Sequence, residues 1–260
     1  MPFTPSHAVI ALPFLRTPLV PAAIAVGAMA PDLPLFVPFA PFGYLQTHSF
    51  AFLPVTMLVA LGLLLVWRCG IRPAMRELSP QWVARRLPAE WDAGAAAAAA
   101  ETFAGRGRRH PSVAGILLLA ASLALGAASH IVWDLFTHAG RAGIDALDVM
   151  WGSMPAYRWL QHGSTVVGLA IIAVWAVLWL RRRDPAPPVP RVLPDGVRLA
   201  WWISLPVVLA VALAIGSVVL GPLTSQWRLE HVAYRTLPPA CALWGVFTVA
   251  LCLVVQRRRR

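Results

Sequence analysis

The residues with metal chemistry to offer concentrate in SHIVWDLFTHAG, positions 129–140. His130, Asp134 and His138 recur there at every fourth position, at the end of a long apolar run. Positions four apart on an α-helix differ by about 40° around the axis and about 6 Å along it, so the three side chains form one slanted face. Adjacent members of that face can share a metal ion. His130 and His138, about 12 Å apart along the axis, cannot do so unless the helix ends early, as Gly140 permits. Two centres joined through Asp134 fit this spacing better than one. Imidazole and carboxylate without thiolate suit Zn²⁺, with Mn²⁺ and Fe²⁺ as alternatives. Cys69, Cys241 and Cys252 show neither CxxC pairing nor metal-ligand spacing, so no disulfide framework or thiolate site is expected.

The elements that must position these groups are membrane helices. Of the 260 residues, 58% are hydrophobic and only 13% charged, a balance that excludes an ordinary soluble domain. The expected fold class is all-α: a polytopic helical membrane protein with about five full spans and an N-terminal hairpin of short helices. Spans are expected at 49–67, 112–134, 164–180, 199–220 and 240–256, each near the roughly 20 apolar residues a bilayer core requires. Region 8–37 is broken by Pro13, Pro18, Pro21, Pro31 and Pro34 and reads as two short helices. Residues 1–180 are expected to carry the site, 181–198 to link, and 199–260 to form a two-helix hairpin with a basic tail. MPFTPSHAVI lacks a basic n-region, so a cleaved signal peptide is not expected.

Arginine placement sets the expected topology. All 22 basic residues are Arg, which together with abundant Ala and Pro suggests a bacterial, GC-rich source. Arginines crowd 68–110, 181–198 and the tail, whereas 139–163 and 221–239 hold few, nearly balanced by Asp145, Asp148 and Glu230. The positive-inside rule makes the first set cytoplasmic and the second external, with the C-terminus inside a bacterial inner membrane. The net charge of +11 is then mainly a topology signal. No basic–aromatic groove accompanies it, so no nucleic-acid partner is expected. The polyalanine stretch 95–100 reads as a helical or low-complexity linker.

This topology gathers further candidates at the outer level. His48 opens the first full span, Asp32 precedes it, and His162 lies on an external loop. His7 joins them if 6–15 and 22–31 form a hairpin, and is cytoplasmic if 7–30 crosses once. A lone interfacial His is more often a hydrogen-bonding group than a ligand. A carboxylate near the end of a span, such as Asp134, normally has a partner. Ser49, Ser129, Thr137, Gln161 and Ser164 are polar neighbours able to fix His tautomers. Arg141 and Arg158 can bind phosphate or serve as solvated loop charge beside Asp145 and Asp148. His110 and His231 read as solvated.

MPFTPSHA, GAMAPDL around Asp32, THS at 47–49, SHIVWDLFTH and YRWLQHGS at 157–164 resemble a family of bacterial multi-pass membrane proteins without a settled activity. The resemblance runs from residue 1 to about residue 180. The order His, Asp, His, His-x3-Asp, His, His is also similar, more distantly, to the ligands of zinc-dependent phospholipase C and the single-strand nucleases. It further resembles membrane-bound metal-dependent hydrolases with PD, TH and sHxxxD motifs. That resemblance implies one to three zinc ions. Asp32, His48, His130 and Asp134 would hold one, His138 and His162 a second, and His7 a third, with Asp134 bridging. It also makes Asp32 and Asp134 the catalytic carboxylates. Where the soluble enzymes carry an acid four residues after the last His, this chain has Val166. With Met1 six residues before His7, the N-terminal amine is not expected as a ligand.

Such a site, at head-group depth beside the lipid bilayer, points to hydrolysis of a phosphoester on a phospholipid or another lipid-linked phosphate. A non-enzymatic metal site, or a metal or proton pathway, is the other reading. A pathway would need polar residues through the full depth of the spans, and 49–67, 164–180 and 240–256 have almost none.

Overall fold

The computed structural model describes residues 3–104, 110–141, 143–144, 147–224 and 227–259. Asp145 and the arginines at 106, 108, 109 and 260, invoked above, lie outside these residues, as does Met1. The proline-broken N-terminal region folds as two short helices, a 3₁₀ helix Thr4–Phe14 and α1, Pro21–Met29. Five longer helices are apolar enough to cross a membrane: α2, Phe50–Leu78; α3, Val113–Thr137; α4, Ala156–Arg181; α5, Asp195–Val219; and α6, Leu229–Arg258. Their most apolar windows have mean hydropathy of 2.0–2.4, and each is longer than the roughly 20 residues that a bilayer core needs. The chain is therefore a mostly α-helical, multi-pass membrane protein. Among the described residues, the one strand pairing is a two-residue antiparallel pair, Met150–Trp151 with Met154–Pro155, turning at Gly152 with φ of +66°.

Three helix boundaries differ from the sequence expectation for one physical reason. α4 begins at Ala156 rather than 164, so Gln161, His162 and Ser164 ride on a helix instead of a loop. α6 begins at Leu229 and runs through Pro238 and Pro239, and α2 continues past Arg68 to Leu78. An apolar run measures the part of a helix that lipid requires, not the whole helix, and arginine is itself a good helix former, so each helix continues into its charged flank.

The chain forms two compact units, each discontinuous in sequence. One comprises Met1–Asp32, Phe42–Arg68 and Ala95–Asp184; the other comprises Leu33–Pro41, Cys69–Gly94 and Pro185–Arg260. Residues 33–41 and 69–94, which a linear reading groups with the first 180, thus pack with the C-terminal helices.

In the first unit α1 lies directly on α3. A Cβ on Gly126 would stand 2.2 Å from the Ile24 carbonyl oxygen, and one on Gly27 would stand 2.6 Å from that of Leu123. Only glycine allows the two backbones so close, the small-residue packing by which membrane helices associate when lipid offers no hydrophobic drive. Ser122 Oγ accepts the Val20 amide at 2.9 Å and fixes the register. Ala23, Ala30, Ala60, Leu64, Leu119 and Leu123 fill the space among α1, α2 and α3. The Ser112 side chain caps α3 by accepting from the Gly115 amide at 3.1 Å. α4 packs on the 3₁₀ helix: Thr165 Oγ accepts the Phe3 amide at 3.0 Å, and Gly168 abuts Ser6. The opposite face of α4, with Val166 and Val177, is exposed aliphatic surface suited to lipid.

The second unit is stapled by a buried carboxylate. Glu77 accepts from the Val192 and Leu193 amides and from Arg198 and Arg259, all at 3.1–3.2 Å. Asp92 pairs with Arg76 and Arg259, and Arg191 donates to backbone carbonyls at 76, 77 and 79. Ala74, Leu78, Leu193, Cys252 and Val255 form the apolar cluster beneath. The arginines that sequence reading treats as topology markers are here also structural cross-links.

Candidate metal centre

Four short elements of the first unit converge on one buried point. α1 ends in a 3₁₀ turn, Ala30–Asp32, that delivers Asp32. A single helical turn, Tyr44–Thr47, ends at His48, held by Thr47 Oγ donating to the Pro31 carbonyl at 2.7 Å. The last turns of α3 deliver His130 and Asp134, and the 3₁₀ helix delivers His7. Asp32, His48, His130 and Asp134 are all at most 4% exposed.

The donor atoms face one another. His48 Nε2 lies 3.0 Å from His130 Nε2, 3.6 Å from Asp32 Oδ1 and 3.3 Å from Asp134 Oδ2. His130 Nε2 lies 3.7 Å from Asp32 Oδ1 and 3.5 Å from Asp134 Oδ2. Zinc bonds of about 2.0–2.1 Å to nitrogen and oxygen in tetrahedral array set donors about 3.3 Å apart, in the middle of this range.

Tautomers follow from the backbone. His48 Nδ1 is 2.8 Å from the Tyr44 carbonyl oxygen, and His130 Nδ1 is 2.7 Å from that of Ala28. A carbonyl can only accept, so both Nδ1 atoms carry protons and both Nε2 lone pairs point into the cluster. Two imidazole lone pairs and two carboxylate oxygens then meet with no donor among them. Such a group requires a positive charge, supplied by a further proton or by a cation. Asp32 Oδ1, Asp134 Oδ1 and His7 Nε2 are buried without a hydrogen-bond partner, which fits a cation rather than a closed polar network.

Electrostatics outside the spans agree with this picture. Burial, joined by the neighbouring His130, pushes the His7 imidazole down to about 4, so it is neutral with a free lone pair at pH 7. Burial works against a charged His48, but the adjacent Asp134 and Asp32 carboxylates hold it above its ordinary value. Burial likewise favours a neutral Asp32, yet the neighbouring His48 and His130 imidazoles and the Thr4 hydroxyl hold its carboxyl below the ordinary value.

Two groups of three are spaced to hold an ion: Asp32, His48 and His130, and His7, His130 and Asp134. The His7 ring stacks on His130 at 4.0 Å between centroids. His138 stands beside the cluster. α3 ends at Thr137 and the backbone turns extended at His138, bringing Nδ1 to 3.4 Å from Asp134 Oδ2, while Nε2 lies 3.4 Å from Gln161 Nε2. His162 departs from the expected set: on α4 its neighbour Gln161 turns inward and is buried, while His162 is exposed.

The remaining polar candidates divide similarly. Thr137 Oγ lies 3.1 Å from His138 Nδ1, and the Arg141 guanidinium sits 5.9 Å above the Tyr44 ring. Ser129 Oγ donates to the Gly126 carbonyl, Ser164 Oγ to that of Gln161, and Ser49 Oγ to that of Gln46, while Arg158 is exposed. Sequence reasoning missed two groups. Thr4 Oγ donates to Asp32 Oδ2 at 2.6 Å, and Tyr44 Oη donates to Asp134 Oδ2 at 3.1 Å. Tyr44 precedes His48 by one helical turn, a spacing that could have signalled its ring packed 3.7 Å from the imidazole.

Fold and site together define a multi-pass membrane protein with buried His/Asp clusters able to chelate a metal ion. Residues 1–258 match the model of the domain of unknown function family DUF4184, and the chain belongs to that family. Comparison with curated proteins and with solved structures finds no match.

Proposed function

We propose that this protein is a membrane-embedded, metal-dependent hydrolase that cleaves a phosphoester, carried by a phospholipid or another lipid-linked phosphate, at the outer face of the membrane. The observation that carries the reading is that His48 Nε2 and His130 Nε2 lie 3.0 Å apart and each lies 3.3–3.7 Å from both Asp32 Oδ1 and Asp134 Oδ2, with both Nδ1 protons committed to backbone carbonyls. Asp32, His48, His130 and Asp134 would hold one divalent cation, zinc foremost. His7, with Asp134 bridging, would hold another, and His138 lies within reach of it. A cation held there supplies Lewis-acid polarisation of a phosphoryl oxygen and a water acidified toward neutrality. The chain's own groups do the rest. Thr4 and Tyr44 fix the carboxylate rotamers, the Ala28 and Tyr44 carbonyls fix the imidazole tautomers, and Gln161 orients His138. Arg141, over the Tyr44 ring, is a candidate to meet the phosphate charge. The external orientation rests on the arginine distribution.

Burial of Asp32 and His130, at 0% and 1% exposure, favours one second reading, a closed structural metal site without turnover. Metal analysis of purified protein, with His130→Ala and Asp134→Ala beside it, separates these readings. Wild type is expected to carry at least one equivalent of metal, and both variants to lose it. Release of phosphate or head group from phospholipid vesicles by wild type alone supports the hydrolase. Metal without release on any lipid class leaves the structural site, and no bound metal sinks both.

A further inference from the structure

A cavity of about 300 Å³ opens between the 3₁₀ helix, α3 and α4, at the small end of the size range for ligand pockets. Its walls are Ile10, Trp133, Val167 and Ile171, with Ser6 and Gly168 at the floor. Trp133, Val167 and Ile171 are themselves substantially exposed, on helices long and apolar enough to span a membrane, so the mouth faces sideways onto lipid. His7 lines the same cavity. It is nine-tenths buried, and its Nε2 has no hydrogen-bond partner. His7 also belongs to the group with His130 and Asp134. One apolar groove thus runs from the bilayer side of α4 to a ligand atom of the candidate centre.

We infer that this groove seats one hydrocarbon chain of a membrane lipid, entering laterally between α3 and α4 and placing the attached phosphoester beside His7. The walls are aliphatic and aromatic, and the groove is too narrow for a globular ligand. An apolar cleft open to the bilayer interior is filled by the solvent present there, which is acyl chain. The hydroxyls of Ser6, Ser129 and Ser164 lie among the lining residues. Of these, Ser129 and Ser164 donate to carbonyls of their own helices and present little polarity to a chain. The substrate class is therefore an amphiphile whose tail is read by the groove. The inference rests on the hydrolase reading for the fate of the head group, but not for the presence of the chain.

The test uses the full protein in nanodiscs of phosphatidylcholine bearing a mid-chain diazirine, with cross-links mapped by mass spectrometry. Wild type is expected to be labelled preferentially at Ser6–Ile10 and around Trp133. Val167→Trp and Ile171→Trp fill the groove from exposed positions and are expected to reduce that labelling about tenfold, on the scale by which apolar pockets discriminate chain size. Val177→Trp, on the exposed far side of the same helix, is expected to leave labelling and turnover unchanged. Turnover of long-chain phosphatidylcholine relative to a short-chain, water-soluble analogue should fall by a similar factor in the two filled variants. Labelling of Ser6–Ile10 no stronger than that of exposed Val207 on α5, or labelling indifferent to both tryptophans, overturns the inference. So does cross-linking of α4 to a second copy through this face. Groove labelling blocked by tryptophan without turnover of either substrate supports the chain seat and removes phosphatidylcholine as the substrate, and the same outcome on every lipid class sinks the hydrolase.

Discussion

At the scale of single residues, the centre depends on which nitrogen each imidazole presents. His48 and His130 hold their Nδ1 protons against the carbonyls of Tyr44 and Ala28, so each Nε2 is left as a lone-pair donor. Thr4 and Tyr44 do for the carboxylates what those carbonyls do for the imidazoles. Removing an orienting group around a metal ligand typically costs 10–100-fold in affinity. Thr4→Val and Tyr44→Phe are each expected to weaken zinc binding about tenfold or more in chelator competition, with the fold retained by circular dichroism. His162→Ala should leave metal stoichiometry unchanged, because that side chain faces outward while Gln161 faces the site. Full loss of metal on His162→Ala would contradict this arrangement. His130, Asp134 and His138 were recognisable as candidates from their spacing. Thr4 and Tyr44 were not, because a hydroxyl near a metal motif looks like any other hydroxyl until its oxygen is found 2.6–3.1 Å from a carboxylate.

At the scale of elements, two glycines bring the ligands together. Gly27 and Gly126 let α1 and α3 touch backbone to backbone, and that approach carries the Ala28 carbonyl to His130 and Asp32 to its place at the end of α1. Gly126→Leu would drive a side chain into the Ile24 carbonyl oxygen. It is expected to destabilise the protein by about 1–3 kcal/mol and to lower metal stoichiometry, although it touches no ligand. Thermal unfolding in detergent and metal analysis read the two effects separately. The end of α3 is equally decisive. Continued as a helix, it would hold His138 one turn beyond Asp134 on the same face; ending at Thr137, it leaves His138 on extended backbone with Nδ1 3.4 Å from Asp134 Oδ2. The N-terminal prolines correctly signalled a pair of short helices. α4 and α6 start before the apolar runs that mark their spans, because a helix extends into flanking residues such as Arg158 and Arg235 that are good helix formers.

At the scale of the molecule, arginine serves two ends. Its distribution predicts that 68–110, 181–198 and the tail face the cytoplasm. With the native cysteines replaced, Asp184→Cys should then react only with reagent admitted to the cytoplasm, and Asp148→Cys should react from outside; the reverse pattern inverts the membrane and moves the site to the inner face. Several of the same arginines also neutralise Glu77 and Asp92 inside the second unit. Glu77→Gln leaves Arg198 and Arg259 without their buried counter-charge and should cost about 3 kcal/mol, visible as a lower unfolding temperature. The sequence by itself determined that this is a helical membrane protein and which His and Asp residues have metal chemistry to offer. Both follow from residue types and from the short, regular periods of a helix. Tertiary structure alone decided which candidates meet, that Gln161 rather than His162 turns inward, and that His7 lines an apolar groove with Trp133, Val167 and Ile171. Those outcomes depend on where backbones from distant parts of the chain come into contact, and no local period encodes the distance between Ala28 and His130.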